Sequence, residues 1–305
     1  MTVAALTPTT DQTLKAHRGQ RPSEDWWFVR AYPGSSKSMD RAVQAVVPWV
    51  RARAEEMAAK RWFFMRYLDT NGHHVRLRIQ SDPDSLDAVH TRLPELNRLI
   101  HQLSAPGEEP RLISGADLGE LSGGRGIRAA PYSPELEKYG GAKGFEAALD
   151  LFYYASRWSA EHEVASLHQP TQRAALAFHY QQRLVQTALP SAEQQSAFWS
   201  AHRKQWGPQL RILLPRREDF SAHVTTLRRS ISKAELSQRQ IEGIGDLVSV
   251  MTQAFQHATA AAPFIAPHRF LLELMHMDMN RWGLMPAEEC LIGFLAAQDH
   301  KPKEQ

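Results

Sequence analysis

Cysteine is almost missing from this chain, Cys290 being the single one among 305 residues. That excludes an internal disulfide and any thiolate cluster for zinc or an iron–sulfur centre. Cys290 stands in a helical pattern, Glu288-Glu-Cys-Leu-Ile-Gly-Phe-Leu295, where a buried, inert thiol is expected. An excess of charge of one sign is also lacking: the net charge is +3, with basic residues scattered among acidic ones, so direct nucleic-acid binding is not expected. No apolar run is long enough to cross a membrane. The opening residues lack the apolar stretch of a secretory signal, so 1–23 read as a disordered lead-in and 300–305 as a disordered tail, with cytoplasmic residence as the default. Metal-ligand spacing is missing as well, since His162-Glu163 has no second histidine one helical turn on. Ser122-Gly-Gly-Arg-Gly126 lacks the lysine of a phosphate loop and reads as a flexible loop. No metal, nucleotide or redox cofactor is implied.

What is present is ordinary globular composition, 43% hydrophobic and 23% charged, and three segments of unusual content. The first is a hairpin, Trp62-Phe-Phe-Met-Arg-Tyr-Leu-Asp-Thr-Asn-Gly-His-His-Val-Arg-Leu-Arg-Ile79. Asn71-Gly72 predicts a two-residue turn with both residues at positive φ, pairing Asp69 with His74, Tyr67 with Arg76 and Met65 with Arg78. One face then carries Phe64, Leu68, Val75, Leu77 and Ile79, with Arg66 as an exception. The other, non-core face carries Tyr67, His74, Arg76 and Arg78. That face is either the wet side of a sheet or a device for holding carboxylate or phosphate.

The second segment is Tyr132-Ser-Pro-Glu-Leu-Glu-Lys-Tyr-Gly-Gly141, where Glu135 and Lys138 share one face of a short helical turn closed by the two glycines. By itself this is a surface ion pair or part of a site. The third is Leu274-Met-His-Met-Asp-Met-Asn-Arg-Trp-Gly283, which places His276 and Asn280 on one helix face. His276 reads as a packed histidine or a catalyst, and Asn280-Arg281 with Gly283 as a helix cap or part of the same site.

Around these segments the pattern predicts a strand at 26–32, a helix at 39–60, the hairpin, and a helix from Asp82 or Asp84 through Leu99. Residues 104–144 read as irregular. Helices follow at 145–160, 171–188, 191–206, 218–230, 234–260, 267–281 and 286–298. The fold class is α+β: an antiparallel sheet with a strand-helix-hairpin start and a helix-rich second half, in one domain over 24–299.

Taken in order, Trp26-Trp-Phe-Val-Arg-Ala-Tyr32, the hairpin with His74-Val-Arg-Leu-Arg78, the Tyr132–Gly141 segment and His276-Met-Asp-Met-Asn-Arg281 resemble one family. It is the elimination domain of class I lanthipeptide dehydratases, or thiopeptide-type bacteriocin biosynthesis domain, and the likeness covers roughly residues 24–298. The resemblance implies a lyase that removes glutamate from glutamylated Ser or Thr of a ribosomal precursor peptide, leaving dehydroalanine or dehydrobutyrine. It implies a separate glutamyl-tRNA-dependent glutamylating protein as partner, because a chain of this length has no room for that half. It assigns catalysis to Arg76, Arg78, Glu135, Lys138 and His276; His74, Tyr67, Tyr132, Asn280 and Arg281, in the same segments, are expected to bind substrate. The family usually has arginine where this chain has Lys138, which keeps the charge and loses the planar fork. A stand-alone member of the family is alternatively a pyridine-forming [4+2] cyclase that releases the leader peptide, and a non-catalytic peptide scaffold is a further reading. The oligomeric state is left open.

Overall fold

A computed structural model describes residues 25–104, 111–115, 123–132, 134–261 and 265–298; the proposed disordered lead-in and tail lie outside them. Strand β1 (Asp25–Pro33) leads into α1 (Met39–Glu56), then the hairpin of β2 (Arg61–Asp69) and β3 (Gly72–Ser81). Two short helices follow, α2 (Pro83–Thr91) and α3 (Leu93–His101), before β4 (Arg125–Ala129). The remainder is α4 (Ala142–Glu161), α5 (Pro170–Ala188), α6 (Ala192–Leu213), α7 (Arg217–Lys233), α8 (Gln238–Ala261), α9 (Pro267–Arg281) and α10 (Pro286–Gln298). The α+β class is therefore as the pattern predicts.

The four strands form an antiparallel sheet in the order β2-β3-β1-β4. Trp27, Val29, Phe64, Val75, Leu77 and Ile79 point to one face and pack on Ala42, Val43, Val46, Val47 and Val50 of α1 and on α2 and α3. Arg66, the exception in that apolar pattern, is buried because it pairs with Asp40 of α1, which Arg173 also engages. The opposite face is not the non-core face that the alternation suggests. Phe63 on it packs on Phe152 of α4, within a second core built by the helical half.

The hairpin register differs from the expected one. Asp69 faces Gly72, so Tyr67 faces His74, Met65 faces Arg76 and Phe63 faces Arg78. Asp69 causes this: its carboxylate accepts the Asn71 N–H at 2.8 Å and closes the loop over Thr70–Asn71, with only Gly72 at positive φ (+107°). The shift is by two residues in pairing, so every side chain keeps its face.

Four further expectations are corrected. The helix expected to run through Leu99 breaks at Arg92, because Pro94 cannot donate to the preceding turn and starts α3 instead. The helix expected over 191–206 passes through Gly207-Pro208 to Leu213, held by the buried Leu210. The helix expected to reach Lys60 stops at Glu56, with Ala58 left-handed just beyond it. Within the stretch read as irregular, 125–129 is the strand β4; it has one large apolar residue, Ile127, and so little alternation to detect.

Strand β2 is a sheet edge, and the helices seal it. Phe64 N–H donates to Ser156 Oγ of α4 at 3.2 Å, and Arg66 N–H to Asn280 Oδ1 of α9 at 2.9 Å. Arg281 Nε donates to Phe64 O at 3.1 Å. Edge groups that would otherwise template another strand thus fix where α9 sits against the sheet.

Candidate active site

Between the second sheet face and the helices lies a cavity of about 430 Å³. Its floor is Phe63, Met65, Tyr67, Arg76 and Arg78; α9 contributes Glu273, His276 and Asn280, α6 contributes Gln205 and Trp206, and Tyr132, Glu135, Lys138 and Tyr139 close one side. Three segments separated in sequence are thereby brought to one space.

Arg78 is buried at 7% exposure, with its guanidinium carbon 4.5 Å from the ring centre of Phe28, 5.1 Å from Phe63 and 5.2 Å from Tyr132. Aromatic faces stabilise the cation without neutralising it. Burial still pulls its pKa down to about 10. Arg76 lies 3.3 Å over the Tyr67 ring, and burial lowers its pKa as well. The Nε of each is buried without a hydrogen-bond partner, and no carboxylate among the described residues pairs with either. Two cations on one strand with unmet donors have the chemistry to receive an anion.

Lys138 differs. Its Nζ is 2.9 Å from Glu273 and 3.9 Å from Glu135, so its charge is met by carboxylates of the chain. Glu135 is largely exposed at the rim. Tyr132 and Tyr139 are pushed up by burial, Tyr132 to about 12, so both are neutral phenols.

His276 stacks on Trp206 with ring centres 4.2 Å apart, and its Nδ1 lies 2.7 Å from Glu289 Oε2. Glu289 is fully buried on α10. Burial pushes its pKa up, but His276 and His202 outweigh that and hold it near 2. A carboxylate there makes Nδ1 the protonated nitrogen and leaves Nε2 free.

Two of the residues assigned to substrate binding lie off the cavity. His74 is fully buried between Tyr32 and Tyr67, with ring centres at 4.7 and 5.6 Å and Nδ1 3.1 Å from Gly72 O. Burial drops its pKa to about 4, so it is a neutral packing residue. Arg281 is buried, with Nε donating to Phe64 O and Ser156 Oγ and Nη1 paired with Asp278. Tyr67, Tyr132 and Asn280 do line the cavity. Glu273, Trp206 and Glu289 were not visible as candidates in the sequence. Their helical patterns show an ordinary polar face or an acidic first turn, and only the tertiary approach reveals their partners. Cys290 is buried, and burial raises its thiol to about 11, which agrees with an inert role. Among the described residues no group of His, Cys, Asp or Glu could hold a metal ion, and no helix is long and apolar enough to cross a membrane.

A family model described as lantibiotic biosynthesis dehydratase C-term matches residues 26–299. The subtilin biosynthesis protein SpaB of Bacillus subtilis is 26% identical over 135 residues, which are 44% of this chain and 11% of that protein. The tRNA dependent lantibiotic dehydratase MibB from Microbispora sp. 107891 superposes with a TM-score of 0.52 and 20% identity, over 97% of this chain and 29% of MibB. The pyridine synthase TbtD from thiomuracin biosynthesis gives a TM-score of 0.58 at 18% identity, over 90% of this chain and 96% of TbtD. The structure of TsrL gives 0.55 at 14%, over 90% and 93%. The chain thus corresponds to a minor part of SpaB and MibB and to nearly all of TbtD and TsrL, and at these identities the structural likeness is one of fold.

Proposed function

This chain belongs to the lantibiotic biosynthesis dehydratase C-terminal family, and on that premise we propose that it eliminates glutamate from glutamylated serine or threonine of a ribosomal precursor peptide. The ester would come from a separate glutamylating protein. His276, with Nδ1–H bonded to Glu289, takes the Cα proton at Nε2. The electron pair forms the Cα=Cβ bond, the Cβ–O bond breaks, and the glutamate carboxylate departs. Arg76 and Arg78 receive that carboxylate and the negative charge that develops as the proton leaves. Lys138, held by Glu273 and Glu135, positions the rim. The observation that carries the reading is the pair of cavity arginines without a carboxylate partner beside a histidine tethered to a buried carboxylate. The test is incubation with a glutamylated precursor peptide: free glutamate and the matching mass loss are expected, and an intact ester after prolonged incubation overturns the reading.

Two observations favour a second reading, pyridine-forming cyclisation of a dehydrated peptide. The Lys138 charge is already met by Glu273, which leaves the anion cradle one cation short, and the fold is similar to that of TbtD over nearly its whole length. A fully dehydrated peptide decides this: a new pyridine with loss of the leader supports the second reading, and unchanged peptide removes it.

A further inference from the structure

His276 borders two cavities. A second hollow of about 210 Å³ shares Arg66, Tyr67, His276 and Asn280 with the first. Its remaining wall is mainly apolar, formed by Met39, Leu68, Leu284, Met285 and Pro286. Arg66 and Arg111 also line it, but their guanidinium groups are engaged by Asp40 and by the carbonyls of Arg281 and Gly283. One polar group on this wall is unmet. Ser36 is 1% exposed, and its buried hydroxyl has no hydrogen-bond partner among the described residues.

We propose that this hollow is a second substrate subsite, which receives an apolar side chain one or two residues from the esterified serine or threonine while the Ser36 hydroxyl bonds the peptide backbone. The inference rests on the elimination reading above. An extended peptide advances roughly 3.3–3.6 Å per residue and alternates its side chains, so a chain crossing the shared wall reaches both cavities within two residues. The two cavities complement such a substrate: cations for the glutamyl group on one side, apolar surface for a neighbour on the other. Binding the neighbour fixes the Cα–H against His276, so contacts remote from the breaking bond serve to orient it.

A panel of glutamylated peptides tests this, with leucine or aspartate placed in turn at each position within two residues of the ester. At one of those positions leucine is expected to raise kcat/KM for glutamate release about tenfold or more over aspartate. Met285→Glu is expected to erase that preference, Met285→Leu to keep it, and Ser36→Ala to lower kcat/KM across the panel. Should Met285→Glu fail to fold, Leu68→Asp replaces it. Equal kcat/KM for all peptides, or a preference untouched by these variants, overturns the subsite. If no peptide is turned over, the elimination reading fails by itself. Calorimetric Kd values for the unesterified peptides then decide the subsite, with equal Kd for leucine and aspartate peptides overturning it.

Discussion

Glu289 lies between two imidazoles: one carboxylate oxygen is 2.7 Å from His276 Nδ1, and the other is 3.6 Å from His202 Nε2. All of Glu289 and His202 is buried, and His202 packs so closely on Gly293 that a Cβ there would meet its ring at 2.4 Å. The backbone of α10 and the ring of α6 therefore hold the carboxylate that orients the cavity histidine. Glu289→Gln keeps the shape and removes the charge that holds His276 by its Nδ1. Glutamate release is expected to fall on the order of 10–100-fold in kcat, with an unchanged circular dichroism spectrum.

Arg78→Lys keeps a cation but gives up the fork and the flat stacking surface between Phe28, Phe63 and Tyr132. A loss of roughly 10²–10³ in kcat is expected from removing a donor aimed at developing charge. Steady-state assays with glutamylated peptide measure it, and near-wild-type rates would show that position 78 only packs.

Lys138 shares its ammonium between Glu273 and Glu135. Arginine at this position has donors to spare after meeting Glu273. Lys138→Arg is expected to raise kcat/KM severalfold, chiefly through KM, and Glu273→Gln to act in the same direction by freeing the lysine. A fall in both variants would mean that the ion pair itself shapes the rim.

His74 makes stability depend on pH. Its pKa is depressed from 6.5 to about 4 in the folded chain by burial, so the unfolded chain binds more protons between those values. Its contribution is full above pH 6.5 and is lost as pH falls toward 4, by up to about 3 kcal/mol. Melting temperatures of wild type and His74→Gln across this window are expected to diverge, with the variant showing the flatter profile.

Arg281 and Arg78 are both buried arginines, yet they are expected to behave oppositely. Arg281 neutralises the fully buried Asp278, which also binds the Tyr180 hydroxyl. Arg281→Ala strands that carboxylate and is expected to cost about 3–5 kcal/mol in denaturant unfolding. Arg78→Ala, which leaves no carboxylate behind, is expected to cost much less.

The hairpin, the late helices and the ordered motifs were legible because each rests on local periodicity or on turn residues. Leu77 and Ile79 reveal their face by alternation, and Pro267 and Pro286 each open a helix. What was hidden depends on contacts between distant segments. Asn71-Gly72 indicated a turn but not that Asp69 would capture its N–H and move the register. Arg66 looked like a flaw in an apolar face until Asp40 met it. His74 and Arg281, grouped by motif with the cavity residues, proved to be packing and edge-sealing groups, because a strand or helix positions neighbours in sequence on different faces. Glu289 carried no signal at all, since an acidic residue in the first turn of a helix is ordinary in sequence.

The bond from Arg66 N–H to Asn280 Oδ1 joins residues 214 positions apart. A chain made from its N-terminus has its arginine strand in hand long before the helix that carries His276 emerges. Until α9 docks, the Arg66 N–H on the β2 edge lacks the partner that α9 supplies, and Arg76 and Arg78 have no histidine opposite them. The cavity is thereby incomplete in the nascent chain and is assembled only when the two regions have met, so its walls are a direct product of completed folding.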